Sequence, residues 1–210
     1  MKKLSALLLA VVMVLSLAAC GGNSAPAATE APAATTEAPA ADAPAAAASS
    51  VEFTGKLTAP LAVTSCGQSP GATMLNVVAT QAKLTSVCDN GMTADTLPAG
   101  TKTLIITMGT SGKGMGAAGT DVDMELARCT ELANAAHAAG IQVVGAHVEG
   151  MGRRTDANDQ KSIDGVLAVS DAVLVIAESD SDNFFTDYCN AHDLPLLKVE
   201  KALDAGSVME

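Results

Sequence analysis

Three short, predominantly apolar runs constrain this chain most: residues 104–108 (LIITM), 141–148 (IQVVGAHV) and 172–177 (AVLVIA). Runs of this length, rich in β-branched residues, read as strands buried on both faces rather than strands with one wet side. Between them the apolar period changes to that of a helix. Residues 121–139 place Val122, Leu126, Cys129, Ala133 and Ala136 on one stripe, in steps of four and three, with Asp123, Glu131 and Asn134 on the other face. Thr120 reads as the N-cap of this helix and Gly140 as its stop.

The same alternation extends to both sides. Residues 61–65 (LAVTS) read as a first buried strand, followed by a turn and by a helix over residues 72–84 with Met74, Leu75, Val78 and Ala82 at helical spacing. Residues 85–88 form a candidate edge strand, and residues 93–97 a helical turn stopped by Pro98. A helix capped by Asp159 carries Ile163, Val166 and Leu167. Another, capped by Ser181, carries Phe184, Phe185, Tyr188 and Cys189, and residues 195–199 return as the last strand. Buried strands alternating with amphipathic helices predict one doubly wound α/β domain: a Rossmann-like or flavodoxin-like parallel sheet of five to six strands with helices on both faces. If residues 85–88 are the edge strand, the order is flavodoxin-like and the winding reverses between the first strand and the strand at 104–108; an order with the first three strands reversed is the alternative.

What precedes this domain is different in kind. Lys2 and Lys3, a short apolar run to Leu17 and small residues before Cys20 make residues 1–19 a secretory signal peptide, too short for a comfortable membrane span. Leu-Ala-Ala-Cys at 17–20 resembles the lipobox of bacterial lipoproteins, which implies lipidation of Cys20 and an extracytoplasmic, membrane-anchored protein. Residues 20–50, made largely of Ala, Pro, Thr and Glu, read as a disordered tether, leaving 51–210 as the single folded domain. The formal charge of −11 becomes −13 once Lys2 and Lys3 leave with the signal peptide. Such a balance excludes nucleic acid as a partner, because phosphate backbones demand basic patches.

In doubly wound sheets ligands bind beyond the carboxyl ends of strands where the winding reverses. Three loops are expected there: residues 65–71, 109–119 and 149–154. The second carries five glycines in the run TLIITMGTSGKGMGAAG, and it opens a helix whose N-terminal N–H groups favour anions. Candidate ligand-binding residues are therefore Ser65, Gln68 and Ser69 on the first loop, Gly109, Thr110, Ser111, Gly112, Lys113 and Gly114 on the second, and Arg153 and Arg154 on the third. Arginine forks suit carboxylate or phosphate; the competing reading for this pair is surface charge balanced by Asp156 and Asp159.

Nucleotide chemistry fits poorly. A Walker loop needs Gly-x-x-x-x-Gly-Lys-Ser/Thr, whereas Lys113 is followed by Gly114, and the dinucleotide fingerprint belongs on the first helix with an acidic residue about 20 positions later. No helical Ser-x-x-Lys pair is present. His147 and Glu149 alternate at a strand end, but no second histidine lies at ligand spacing, so no metal and no cofactor are expected. Cys66 lies between a strand and a helix, where a thiolate can be stabilised or a small residue can simply pack; Cys129 and Cys189 read as apolar packing residues on helices. Four cysteines in an exported domain permit disulfides, and no Cys-x-x-Cys pair occurs.

The loop sequences TSCGQSPGA, GTSGKGMGAAG and GRRTDANDQ together resemble a family of bacterial exported proteins classed as a domain of unknown function, over residues 61–199. That resemblance implies a single-domain α/β lipoprotein or secreted protein and no particular activity. The reading that follows is a non-enzymatic module that binds a small anionic ligand and serves a membrane transporter or sensor. An extracytoplasmic hydrolase or transferase using the same loops, or a module docking on a membrane protein complex, are the alternatives.

Overall fold

The computed structural model describes residues 53–210; the signal peptide, Cys20 and the tether lie outside the described residues. Six strands form one all-parallel sheet: β1 (Leu61–Ser65), β2 (Ser86–Cys88), β3 (Thr103–Thr107), β4 (Gln142–His147), β5 (Ala172–Ile176) and β6 (Leu196–Val199). Their spatial order is β2-β1-β3-β4-β5-β6, the flavodoxin-like arrangement, so the winding reverses between β1 and β3. The weak segment at 85–88 is indeed the edge strand, pairing Leu61 with Ser86 and Val63 with Cys88.

Side-chain alternation divides the strands between two cores. Ala62, Leu104, Ile106, Val143, Val173 and Val175 face one side, under Leu132 and Ala136 of α3 (Val122–Ala138), Ile163 and Val166 of α4 (Ala157–Leu167) and Phe185 of α5 (Phe184–Ala191). Leu61, Val63, Ile105, Val144, Leu174 and Ile176 face the other, under Ala72, Leu75 and Val78 of α1 (Gly71–Gln81) and the C-terminal 3-10 segment Ala202–Val208. Each fully buried Leu, Ile or Val contributes roughly 1.5–3 kcal/mol, so continuous apolar strands are what make a sheet covered on both faces stable. The second face has the thinner cover.

Several local expectations change. The glycine run is not loop throughout: residues Gly112–Ala118 form a short helix, α2, ended by Gly119 in the left-handed conformation. Three glycines in seven residues give it little intrinsic propensity. It forms because Ser111 accepts the Gly114 N–H as an N-cap and because Met115 is buried beneath it. The next helix is capped by Asp121, which accepts from Met124 N at 2.9 Å, not by Thr120. Asp156, not Asp159, caps α4, accepting from Asn158 N and Asp159 N. At α5 the cap is Asn183 rather than Ser181, and the buried Asp180 carboxylate accepts from Phe185 N and Thr186 N. In each case a carboxylate one to four residues away outcompetes the expected residue for the free N–H groups of the first turn.

Candidate functional site

Because all six strands run the same way, the loops after β1, β3 and β4 emerge at one edge, and they pack directly against each other. Ser111 N donates to Gly67 O at 2.8 Å, and Gln68 pairs with Thr110 in a single antiparallel bridge. Gly67 has φ +124° and lies against the second loop, where a Cβ would come within 2.8 Å of Gly109 O. Gly109, at φ +96°, lies against the third loop, where a Cβ would meet the Arg153 Cβ at 2.9 Å. Both positions need the left-handed backbone that glycine adopts without strain, and both need its missing side chain. These two glycines therefore let three loops stack into one layer.

The N–H groups of this layer are held by the protein's own oxygen atoms. Gly67 N and the Gln68 side-chain amide donate to one Glu125 oxygen at 3.1 and 3.0 Å. Thr110 donates to Asp159 through its N–H at 2.8 Å and its hydroxyl at 2.7 Å, and Gly109 N donates to the Ser162 hydroxyl at 3.1 Å. Ser69 N donates to the Ser65 hydroxyl at 3.0 Å, and both serines are fully buried. Glu125 and Asp159 are each only 3% exposed. Burial works against a charged Asp159, but hydrogen bonds from Thr155 and Thr110 outweigh it and hold its carboxyl below the usual aspartate range. Glu125 is matched by Arg128 at 2.8 Å, whose guanidinium also donates to Met92 O and the Thr64 hydroxyl.

The two arginines of the third loop serve different ends. Arg153 is about one-third exposed; its Nε donates to Glu149 at 3.0 Å and its Nη1 to Thr110 O at 2.7 Å. Arg154 is buried instead in a bidentate pair with Asp182, at 2.7 and 2.9 Å, with its guanidinium 4.6 Å from the centre of the Phe184 ring. Neither arginine pairs with Asp156 or Asp159: Arg153 pairs within its own loop with Glu149, and Arg154 with Asp182 after β5. Lys113 is exposed in the first turn of α2.

Glu149 also reaches the start of α1. That helix has no side-chain cap of its own and no acidic residue in its first turn, and Gly71 N donates to Glu149 Oε1 at 2.9 Å while Arg153 holds Oε2. A carboxylate at a helix N-terminus beside a guanidinium is the arrangement an anionic ligand would adopt. Glu149 lines an open depression of about 540 Å³ floored by Met74, Val148 and Ile176, with Glu178, Glu200 and Lys201 on its rim. The depression lies where the second face of the sheet is thinly covered.

His147 does not join Glu149. It is fully buried with Nδ1 2.8 Å from the Ser179 hydroxyl and Nε2 3.2 Å from Arg153 O. A carbonyl only accepts, so Nε2 carries the proton and Nδ1 accepts from Ser179, whose oxygen in turn accepts from Gly150 N at 3.1 Å. The Ser–His contact is thus a buried brace for the third loop. Burial, and then the Arg154 charge, lower the His147 pKa, so the ring is neutral in the folded state at pH 7. Unfolded, it titrates at its ordinary value of 6.5, so the unfolded chain binds more protons below that pH. Stability supplied by His147 should be intact above pH 6.5 and decline as pH falls from there toward the lower folded value. Urea unfolding at pH 7.5 and pH 5 checks this: His147→Asn should flatten that part of the decline.

Among the described residues no group of three or more His, Cys, Asp or Glu is placed to hold a metal ion, and no helix is long and apolar enough to cross a membrane. The sequence reading missed Glu125, Arg128, Glu149 and Asp159 as members of the site. Two had a visible signal: Glu125 lies in phase with Val122, Cys129, Leu132 and Ala136, and Asp159 in phase with Ser162, Ile163 and Val166. A carboxylate in the buried phase of a helix needs an internal partner.

The family model described as "Domain of unknown function (DUF6305)" matches residues 58–210, and the chain belongs to that family. No curated protein and no solved structure matches it.

Proposed function

We propose, for this member of a family whose description names no activity, a non-enzymatic binding module for a small carboxylate-bearing ligand. It is displayed on the extracytoplasmic face through lipidated Cys20 and serves a membrane transporter or sensor. The observation that carries this reading is the Glu149 carboxylate, seated between Gly71 N and Arg153 at the edge of the open depression. The seat is built for a carboxylate, and the protein fills it with one of its own. A ligand carboxylate entering from the depression displaces Glu149, which rehydrates, so affinity is modest. Glu178 and Glu200 on the rim repel a second negative charge and favour a ligand that also carries a cationic group. Gln68, Thr110 and Lys113 do not line the depression, and the Thr110 N–H and the Gln68 amide are taken by Asp159 and Glu125, so none of the three is a direct anion donor in this reading.

Glu149→Ala tests the seat. The substitution should lower stability by about 1–2 kcal/mol, the worth of one buried hydrogen bond and a partly screened ion pair. Tens of millimolar acetate or formate should restore part of the lost Tm, whereas chloride at the same ionic strength should not. A panel of small carboxylates and amino acids should shift Glu149→Ala more than the parent, and Arg153→Ala should remove the shift. A panel in which no carboxylate stabilises either protein, or in which the parent turns over a substrate, overturns the proposal.

A further inference from the structure

Cys66 is the first residue after β1 and Cys129 lies midway along α3; the two are 0% and 1% exposed and belong to the same core. Cys129 Sγ donates to the carbonyl oxygen of Ser65, the residue before Cys66, at 3.8 Å, so the two thiols are neighbours in that core. The neighbouring Arg128 guanidinium donates to that same carbonyl, so α3 is fixed against the end of β1 from two sides. Of the other two cysteines among the described residues, Cys88 sits on the edge strand and Cys189 on α5.

We propose that Cys66 and Cys129 are a redox site, closing to an intramolecular disulfide that pins the β1–α1 loop to α3 when the chain folds in the presence of a disulfide oxidant. The chemistry is thiol–disulfide exchange. The Cys66 thiolate attacks a disulfide R′S–SR′, forming a mixed disulfide and expelling R′S⁻. The Cys129 thiolate then attacks the Cys66 sulfur, forms the internal bond and expels the second R′S⁻. The two thiol protons go to the two leaving groups, so two cysteines are oxidised and one R′S–SR′ is reduced to two R′SH.

The environment assigns the order of attack. The hydrogen bond from Cys129, then those of Ser162 and the Arg128 charge, outweigh burial and lower the Cys66 pKa, while the hydrogen bond to Cys66 and burial raise that of Cys129. Cys66 is the attacking thiol and Cys129 the resolving one. Burial pushes the Cys189 thiol up to about 11 and raises that of Cys88, which leaves both as poor competitors. Since neither sulfur of the pair is exposed in the folded chain, exchange belongs to the last stage of folding, when α3 already lies against the end of β1, and is slow once the core has closed.

The experiment uses the full chain, unfolded in urea with reductant and refolded in buffer containing oxidised and reduced glutathione, followed by alkylation and peptide mapping. The expected result is a peptide linked through Cys66 and Cys129, with Cys88 and Cys189 alkylated. The oxidised protein should melt about 10 °C above the same sample kept reduced, because the bond closes a loop of some sixty residues in the unfolded chain. Cys66→Ser should leave Cys129 alkylated and abolish the reductant-dependent difference in Tm; Cys129→Ser serves the same purpose if the first variant folds poorly. Recovery of both Cys66 and Cys129 in alkylated form from the refolded parent, or linkage of either to another cysteine, overturns the proposal.

Discussion

Replacing Glu125 by alanine is expected to destabilise the domain by about 3 kcal/mol, which for a domain of this size lowers Tm by roughly 6–12 °C. The size follows from what is left behind. Arg128 is 14% exposed and its Nε is buried without a hydrogen-bond partner, so removing the 2.8 Å ion pair leaves a guanidinium with little water to replace the carboxylate. Gly67 N and the Gln68 amide lose their acceptor in the same step. Glu125→Gln should cost about half as much, since its amide oxygen still accepts from Gly67 while the charge is lost. A double substitution of Glu125 and Arg128 by methionine should cost less than the two single changes added together, because no uncompensated charge remains. Equilibrium unfolding in urea measures all of these. An alanine variant within about 0.5 kcal/mol of the parent would mean that water already compensates Arg128, and the buried pair would lose its place in holding the first loop.

The same pair illustrates where a sequence stops being legible. The sheet could be read because the central strands β3, β4 and β5 are mostly apolar runs and the crossovers on either side of them are helices, so strand order followed from one decision, the assignment of residues 85–88 to an edge. The meeting of the three loops followed from parallel strands alone. What the loops do with their N–H groups was not readable, since it depends on Glu125, Glu149 and Asp159 arriving from α3, the end of β4 and α4. Glycines and a lysine after a strand have the composition of an anion cradle whether the anion comes from solution or from the next helix. Short α2 was hidden for a related reason: Gly112, Gly114 and Gly116 argue against a helix locally, and the burial of Met115 that overrides them is a tertiary fact. Arg154 finds Asp182 from 28 residues away and Phe184 from 30, a cage that exists only once β4 and β5 are neighbours.

Asp159 carries the other large expected effect. Its Oδ1 accepts from the Thr110 N–H and hydroxyl and its Oδ2 from the Thr155 N–H and hydroxyl, at 2.7–3.2 Å, so one carboxylate ties the second loop to the start of α4. Asp159→Ala leaves a buried Thr110 N–H with no acceptor and should cost about 3 kcal/mol. Asp159→Asn is a sharper probe. Whichever threonine faces the amide oxygen keeps its bonds, while the other presents its N–H to an NH₂ group; a loss of about 2 kcal/mol is expected, despite identical size and shape. The pH dependence has a definite sign: the folded carboxyl is held below its unfolded value of 3.8, so its stabilisation is present above that pH and disappears as pH falls toward the folded value. Acid unfolding of Asp159→Asn should therefore lack that part of the decline, and the parent and variant should converge in stability at low pH. If the two instead fall in parallel below pH 4, the Thr110 N–H does not depend on a charged acceptor, and an anion from solution could take the place that the structure gives to Asp159.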